Sequence, residues 1–504
     1  MITKYDLLLR NITIFDGNGE DPFVGDVGIS GDKIAFIGDA GAAVAGREID
    51  GGGLALAPGF IDVHTHDDFA PFSHPDMSFK TRGGVTTCIV GNCGFGAAPF
   101  AAARKVAGGL LPLGDVTAYE GHGGYAKAVA ACSLGANIAV LAGHGTFRMS
   151  AMGRDDRVPD DKEMREMKNL LNEALDAGVF GLSTGLIYEP GRYAALDEVA
   201  ELAAEMKGTR ALYTTHMRDE GPGLVSSVKE AIEIGKRAGV PVQISHHKAA
   251  GRANWGLVSR SLAEIEAAQA RGENVHADQY PYTAGSTKLV SVMQNGALSE
   301  VSDGSGDAGI ASARPEDIVI ASAPDHSQWE GKSIADLAQS MDLTPHAAAE
   351  KIIEKAPGTS VVLHMMSEKD VQTVLRHPST MIGSDGIPTL DGKPHPRLYN
   401  SFARVLGHYS RDLKLLSLAV AVHRMTGMSA DKFGLVGRGR IVVNHFADLV
   451  LFDANRIIDK GTYQDPNQYP DGIYMVIVNG RPVVEQDKVI REKAGSLLCR
   501  SDNP

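Results

Sequence analysis

Eight short apolar runs, separated by stretches with helical periodicity, constrain this chain more than any other feature. They are Gly59-Phe-Ile-Asp-Val63, Thr86-Thr-Cys-Ile-Val90, Asn137-Ile-Ala-Val-Leu141, Val179-Phe-Gly-Leu-Ser183, Ala211-Leu-Tyr-Thr-Thr215, Pro241-Val-Gln-Ile-Ser245, Glu273-Asn-Val-His-Ala277 and Thr380-Met-Ile-Gly-Ser384. Strands alternating with helices imply a parallel sheet with helical crossovers. Eight of them predict an α/β chain folded as a closed (β/α)8 barrel. Residues 161–177 and 198–206 read as two of the crossover helices. About 100 residues separate the seventh and eighth runs, and the Gly-, Ser- and Asp-rich stretch 285–343 is expected to be an inserted lid.

At 504 residues the chain exceeds what one core usually supports. Both ends read as short strands joined by tight turns, at 6–10, 25–30 and 33–38 and again at 448–453, 474–479 and 481–485. Residues 1–57 plus 436–495 are therefore expected to form one small β-sandwich domain, leaving 58–435 for the barrel. The net charge of −13 excludes a nucleic-acid partner, which needs a basic footprint. The four cysteines are too few and too scattered for a disulfide framework. No apolar run reaches the roughly 20 residues of a membrane span, and the first residues lack signal-peptide order. The expectation is a cytoplasmic protein with no membrane partner.

Barrel enzymes place their chemistry where strands end. The first run ends in His64-Thr65-His66, and strand alternation turns residues two apart to the same side. The second leads into Cys93, the third ends at His144, the fifth at His216, the sixth at His246 and the eighth at Asp385. Imidazoles, a thiol and a carboxylate converging on one mouth suit zinc. Singly, each residue has an ordinary structural explanation; it is their joint placement at strand ends that points to a metal.

These features resemble the amidohydrolase superfamily and, within it, the N-acyl-D-amino-acid deacylases (D-aminoacylases). The resemblance covers nearly the whole chain. It is carried by Pro58-Gly-Phe-Ile-Asp-Val-His-Thr-His-Asp67, Gly91-Asn-Cys-Gly-Phe95, Gly181-Leu-Ser-Thr-Gly-Leu-Ile-Tyr-Glu-Pro-Gly191, Thr215-His-Met-Arg-Asp-Glu220, Ile244-Ser-His-His-Lys248, Asp278-Gln-Tyr-Pro-Tyr-Thr-Ala284, Ile382-Gly-Ser-Asp-Gly386, His395-Pro-Arg-Leu398 and residues 437–452. Many amidohydrolases bridge two metals with a carboxylated lysine on strand four, but residues 179–186 contain no lysine. The resemblance implies that Cys93 replaces it. It also implies one tight zinc on Cys93, His216 and His246 and a weaker second position on His64, His66 and Asp385.

On this reading the activity is hydrolysis of the linear amide of an N-acyl-D-amino acid, a small-molecule substrate. Zinc lowers the pKa of water towards roughly 7, and Asp385 serves as general base and then acid. Tyr188 is the candidate donor to the scissile carbonyl. The resemblance matches Lys248, Tyr282 and Arg397 to positions that hold the substrate carboxylate. Residues 289–299 lack Arg and Lys and offer Val290, Val292 and Met293, which suggests a neutral or apolar side chain, although Lys288 adjoins them. The preference for D substrates comes from the resemblance alone. The alternatives are a cyclic-amide hydrolase of the dihydropyrimidinase type and a non-catalytic barrel that binds acylated ligands. Acyl group, natural substrate and oligomeric state are left open by the sequence.

Overall fold

The computed structural model describes residues 4–107, 116–298, 313–490 and 493–500. All eight apolar runs are strands: β1 Phe60–Asp62, β2 Val85–Val90, β3 Asn137–Val140, β4 Gly181–Gly185, β5 Leu212–His216, β6 Val242–Ile244, β7 Val275–Gln279 and β8 Thr380–Ile382. β1, β2 and β3 pair in parallel, as do β4 through β8 in order. Ala142–Gly143, just beyond β3, pairs with β4. The barrel closes where Thr65 bridges Gly386 and the Asp385 amide donates to the His64 carbonyl at 2.7 Å. Closure therefore sets His64-Thr65-His66 and Asp385 side by side.

Lys80 ties that seam together. Its buried Nζ donates to Asp62, Thr65 and Ser384, each at 2.8 Å, using all three ammonium protons. The crossover helices follow from ordinary signals. Asp160 caps helix Asp161–Asp176 with a capping box to Glu163, and Met164, Met167 and Leu171 bury one face at helical spacing. Helix Leu224–Ala238 stops at Gly239, whose positive φ of 72° a side chain would oppose.

The terminal strands form a nine-stranded sheet that folds into the β-sandwich. Lys4–Ile14 lies at its centre, and Leu449–Phe452 joins the two ends of the chain by pairing with Ala55–Pro58. Leu7, Ile12, Val27, Leu449 and Ile477 fill the interior. Beyond it, residues 494–500 return to the barrel: the Ile138 amide donates to the Ser496 carbonyl at 2.9 Å and the Arg500 amide to Gly178 at 2.8 Å.

The insertion expected at 285–343 runs further. Strands Ala284–Lys288, Ile318–Ser322 and Ser360–His364 make an antiparallel sheet in which Ser360–His364 is central, so the unit is completed only at His364. Residues 299–312 of that expectation lie outside the described ones. Leu289, Ile318, Ile334, Ile352 and Val361 give the unit a core of its own. No helix among the described residues is long and apolar enough to cross a membrane.

Candidate metal centre and substrate pocket

The ends of β1, β2, β5, β6 and β8 bring Cys93, His64, His66, His216, His246 and Asp385 into one buried cluster. Cys93 Sγ lies 3.4 Å from His64 Nε2, 3.7 Å from His216 Nδ1 and 3.5 Å from His246 Nε2. Tetrahedral zinc with ligands at about 2.0–2.3 Å sets its donors roughly 3.3–3.8 Å apart, so these separations fit a shared ion. Asp385 Oδ1 lies 3.1 Å from His66 Nε2 and 3.5 Å from His64 Nε2. His64 thus faces both the cysteine and the aspartate, rather than belonging only to a second group.

Three of these residues hold left-handed backbone angles: Cys93 at φ 54°, His246 at 36° and Asp385 at 50°. Such angles are uncommon outside glycine and persist only where surroundings enforce them. For Cys93 the enforcement is visible. The Gly94 amide donates to Ser183 Oγ at 3.0 Å, and Asn92 Nδ2 donates to the Ile89 carbonyl at 2.8 Å. A Cβ on Gly94 would stand 2.9 Å from the Gly185 backbone nitrogen. The Gly-Asn-Cys-Gly sequence is what lets β2 bend its thiol over the barrel axis.

The donor chemistry also fits a cation. Burial holds the His216 and His246 imidazoles well below their ordinary value, which keeps the rings neutral and able to ligate. Burial, reinforced by Asp385, pushes the Cys93 thiol well up. A thiolate at this position therefore requires positive charge beside it. For Asp385 burial acts upward too, but Arg397, His246 and His66 outweigh it and hold the carboxyl well below the usual range.

A surrounding set of side chains orients this cluster. Buried Glu220 lies 3.1 Å from His246 Nδ1 and 3.7 Å from His216 Nε2, and accepts from Lys248 Nζ at 2.5 Å. Asp278 accepts from the His246 amide at 2.7 Å and stands 3.4 Å from His64 Nδ1. Carboxylates behind ligating histidines fix the ring and its tautomer. Glu220 and Asp278 were not singled out from sequence. The signal available was an acid four residues beyond His216 and another heading the Asp278-Gln-Tyr motif.

Of the remaining expected residues, Lys248, Arg397 and Tyr188 are found at the cluster. Lys248 Nζ lies 2.9 Å from His246 Nδ1. Arg397 Nη1 stands 2.8 Å from Asp385 Oδ2. The Tyr188 ring packs on His216 at 4.9 Å and on Phe95 at 5.2 Å.

Two expectations are corrected. Tyr282 is not at the pocket; its ring lies among Arg404, His395 and Tyr463. The Tyr282 amide donates to the Tyr280 carbonyl at 3.0 Å, a turn so tight that the two rings part. Tyr280 instead lines the pocket, with Arg397 4.5 Å and Lys248 5.7 Å from its ring centroid and a buried hydroxyl with no hydrogen-bond partner among the described residues. His144 also leaves the cluster, pairing with Glu198 at 2.9 Å on the surrounding helix Leu196–Ala203.

A family model described as the amidohydrolase family matches residues 47–297 and 330–484. The chain is 38% identical to the D-aminoacylase of Alcaligenes xylosoxydans xylosoxydans, over 99% of this chain and 98% of that protein. It is similar to the crystal structure of N-acyl-D-glutamate deacylase from Bordetella bronchiseptica, complexed with zinc and a phosphonate mimic of its tetrahedral intermediate. That match has a TM-score of 0.88 and 35% identity, covering 98% of this chain and 100% of that one. The dihydropyrimidinase of Brevibacillus agri matches with a TM-score of 0.56 at 15% identity over 97% of this chain and 98% of its own, a likeness of fold alone.

Proposed function

The chain belongs to the amidohydrolase family, and from that premise we propose that it hydrolyses N-acyl-D-amino acids to a carboxylate and a free D-amino acid. The observation that carries the reading is the cluster itself: a buried cysteine within 3.4–3.7 Å of three imidazole nitrogens, beside a carboxylate and a cationic wall. Cys93, His216 and His246 would hold a zinc ion, which when bound would supply Lewis acidity for the water and the amide carbonyl.

Asp385 then takes the proton of the attacking water and returns it to the leaving amine. Its contact with Arg397 keeps it ionised before the reaction, the state a base requires. Lys248, the Tyr280 hydroxyl and Arg397 receive the substrate carboxylate, holding it away from the reacting water. Tyr188, with its hydroxyl engaged by Thr287, stands ready to donate to the carbonyl oxygen as it gains charge. Glu220 positions His216, His246 and Lys248 together. Leu363, Met365 and Ile387 line the remaining wall and favour a neutral or apolar amino-acid side chain.

The test is a matched series of N-acetyl-D- and N-acetyl-L-amino acids presented to the zinc-loaded protein. Turnover of N-acetyl-D-leucine well above its L counterpart is expected. Preference for the L series, or turnover of cyclic amides only, overturns the proposal.

A further inference from the structure

The pocket at the cluster encloses about 40 Å³, little more than a water needs, so an acyl group of any length has to extend out of it. Beside it lies a second cavity of about 240 Å³, and the two share Phe95, Tyr188 and Thr287. The charged lining of this vestibule is Lys105, Arg154, Arg192 and Lys288 against one acid, Glu189. That acid already accepts from the Tyr193 hydroxyl at 2.7 Å. A concentration of cations of this kind stands out on a chain whose net charge is −13.

Lys288 is the most informative of the four. It is only 9% exposed, and its Nζ donates to the Ala107 carbonyl. Burial and the neighbouring Arg154 bring its ammonium down to about 8, with no acid opposing them. Buried ammonium groups are normally matched by a carboxylate. Lys80 has Asp62 and Lys248 has Glu220; Lys288 has no such partner among the described residues. A lysine buried at a cavity wall without a counter-ion is poised for an anionic ligand.

Geometry says which part of the substrate that ligand is. Lys248 and Tyr280 line the inner pocket and not the vestibule, and Arg397, the third group proposed to receive the α-carboxylate, stands behind them against Asp385 and the Tyr280 ring. Tyr188, the donor to the scissile carbonyl, is shared by both cavities, and the remaining substituent of that carbonyl is the acyl chain. We propose that the vestibule is a subsite for a second carboxylate at the far end of the acyl group, so that the preferred substrates are half-amides of a dicarboxylic acid with a D-amino acid. This rests on the deacylase reading above. Water adds across the same C–N bond, and the products are a free dicarboxylate and the amino acid.

The experiment compares kcat/KM for N-succinyl-D-leucine with that for N-succinamoyl-D-leucine, which has the same length without the terminal charge, on zinc-loaded protein. The charged acyl group is expected to be preferred by about tenfold or more, as a charge-assisted contact provides. Lys288→Met should bring that ratio close to one. Arg154→Gln, at an exposed position, should reduce it by a smaller factor and serves as the second variant should Lys288→Met fail to fold. A ratio of one in the parent protein, with N-acetyl-D-leucine still hydrolysed, removes the subsite and leaves the deacylase reading intact. Loss of all three D substrates removes both. A comparison of N-acetyl-D-glutamate with N-acetyl-D-glutamine identifies the alternative source of the second anion. Preference there that Lys288→Met abolishes assigns the vestibule to the amino-acid side chain and overturns the acyl assignment.

Discussion

At the carboxyl ends of the barrel strands, Cys93, four histidines, Asp385, Glu220, Asp278, Lys248 and Arg397 are packed together with almost no exposure. Below that rim the barrel interior is apolar: Ile61, Ile89, Ala139, Phe180 and Leu212 meet Ala430, Phe433 and Leu435. The strands are short and shared, so a side chain's depth along the axis decides its environment. The difference teaches that the lower end carries stability, through burial that needs no specific partner. The upper end carries function, through buried charges that each depend on a named neighbour and would be costly alone.

The separation can be broken from either side. Asp385→Asn should lower turnover by about 10²–10⁴-fold, the range for a lost acid–base group. Zinc should remain at Cys93, His216 and His246, as read by metal analysis; appreciable remaining activity would reject Asp385 as the base. Phe433→Ala, at the lower end, should cost about 3 kcal/mol of stability in denaturant unfolding, in line with large-to-small core substitutions. Its kcat/KM should stay close to the parent value below the transition. A variant that instead lost activity while fully folded would show the two ends to be coupled.

Smaller changes sharpen the division within the upper end. Glu220→Gln should weaken zinc affinity or activity by about 10–100-fold, as expected when the carboxylate behind a ligating histidine is lost. Zinc titration of the apoprotein reads this directly. Tyr280→Phe should raise KM for N-acetyl-D-leucine by about tenfold, the worth of one hydrogen bond to a charged group. Tyr282→Phe should leave KM unchanged. The reverse outcome would return the carboxylate contact to Tyr282.

Much of this was legible in the chain. Each barrel strand announced itself because a short apolar run bounded by helical periodicity has few other uses, and the thiol, imidazoles and carboxylate of the cluster were visible because strands deliver their last residues to one rim. Tyr280 and Tyr282 show where that logic stopped. Period-two alternation would put both rings on the same side, but Pro281 sits between them and the Tyr282 amide folds back onto the Tyr280 carbonyl. His144 departs too: it opens helix His144–Ala151 directly after the short strand Ala142–Gly143, and its ring is taken by buried Glu198.

The sequence by itself determined the barrel, the sandwich built from both termini, and the thiol, imidazoles and carboxylate that meet at the mouth, because these follow from local periodicity and from residue chemistry at strand ends. Only the tertiary structure decided which tyrosine faces the pocket, that Glu220 and Asp278 stand behind the histidines, that the inserted unit is completed by Ser360–His364, and that Lys288 is buried beside a cavity with no counter-ion among the described residues. Those facts depend on contacts between residues distant in the chain and on turns that reset side-chain direction, and neither is encoded in spacing alone.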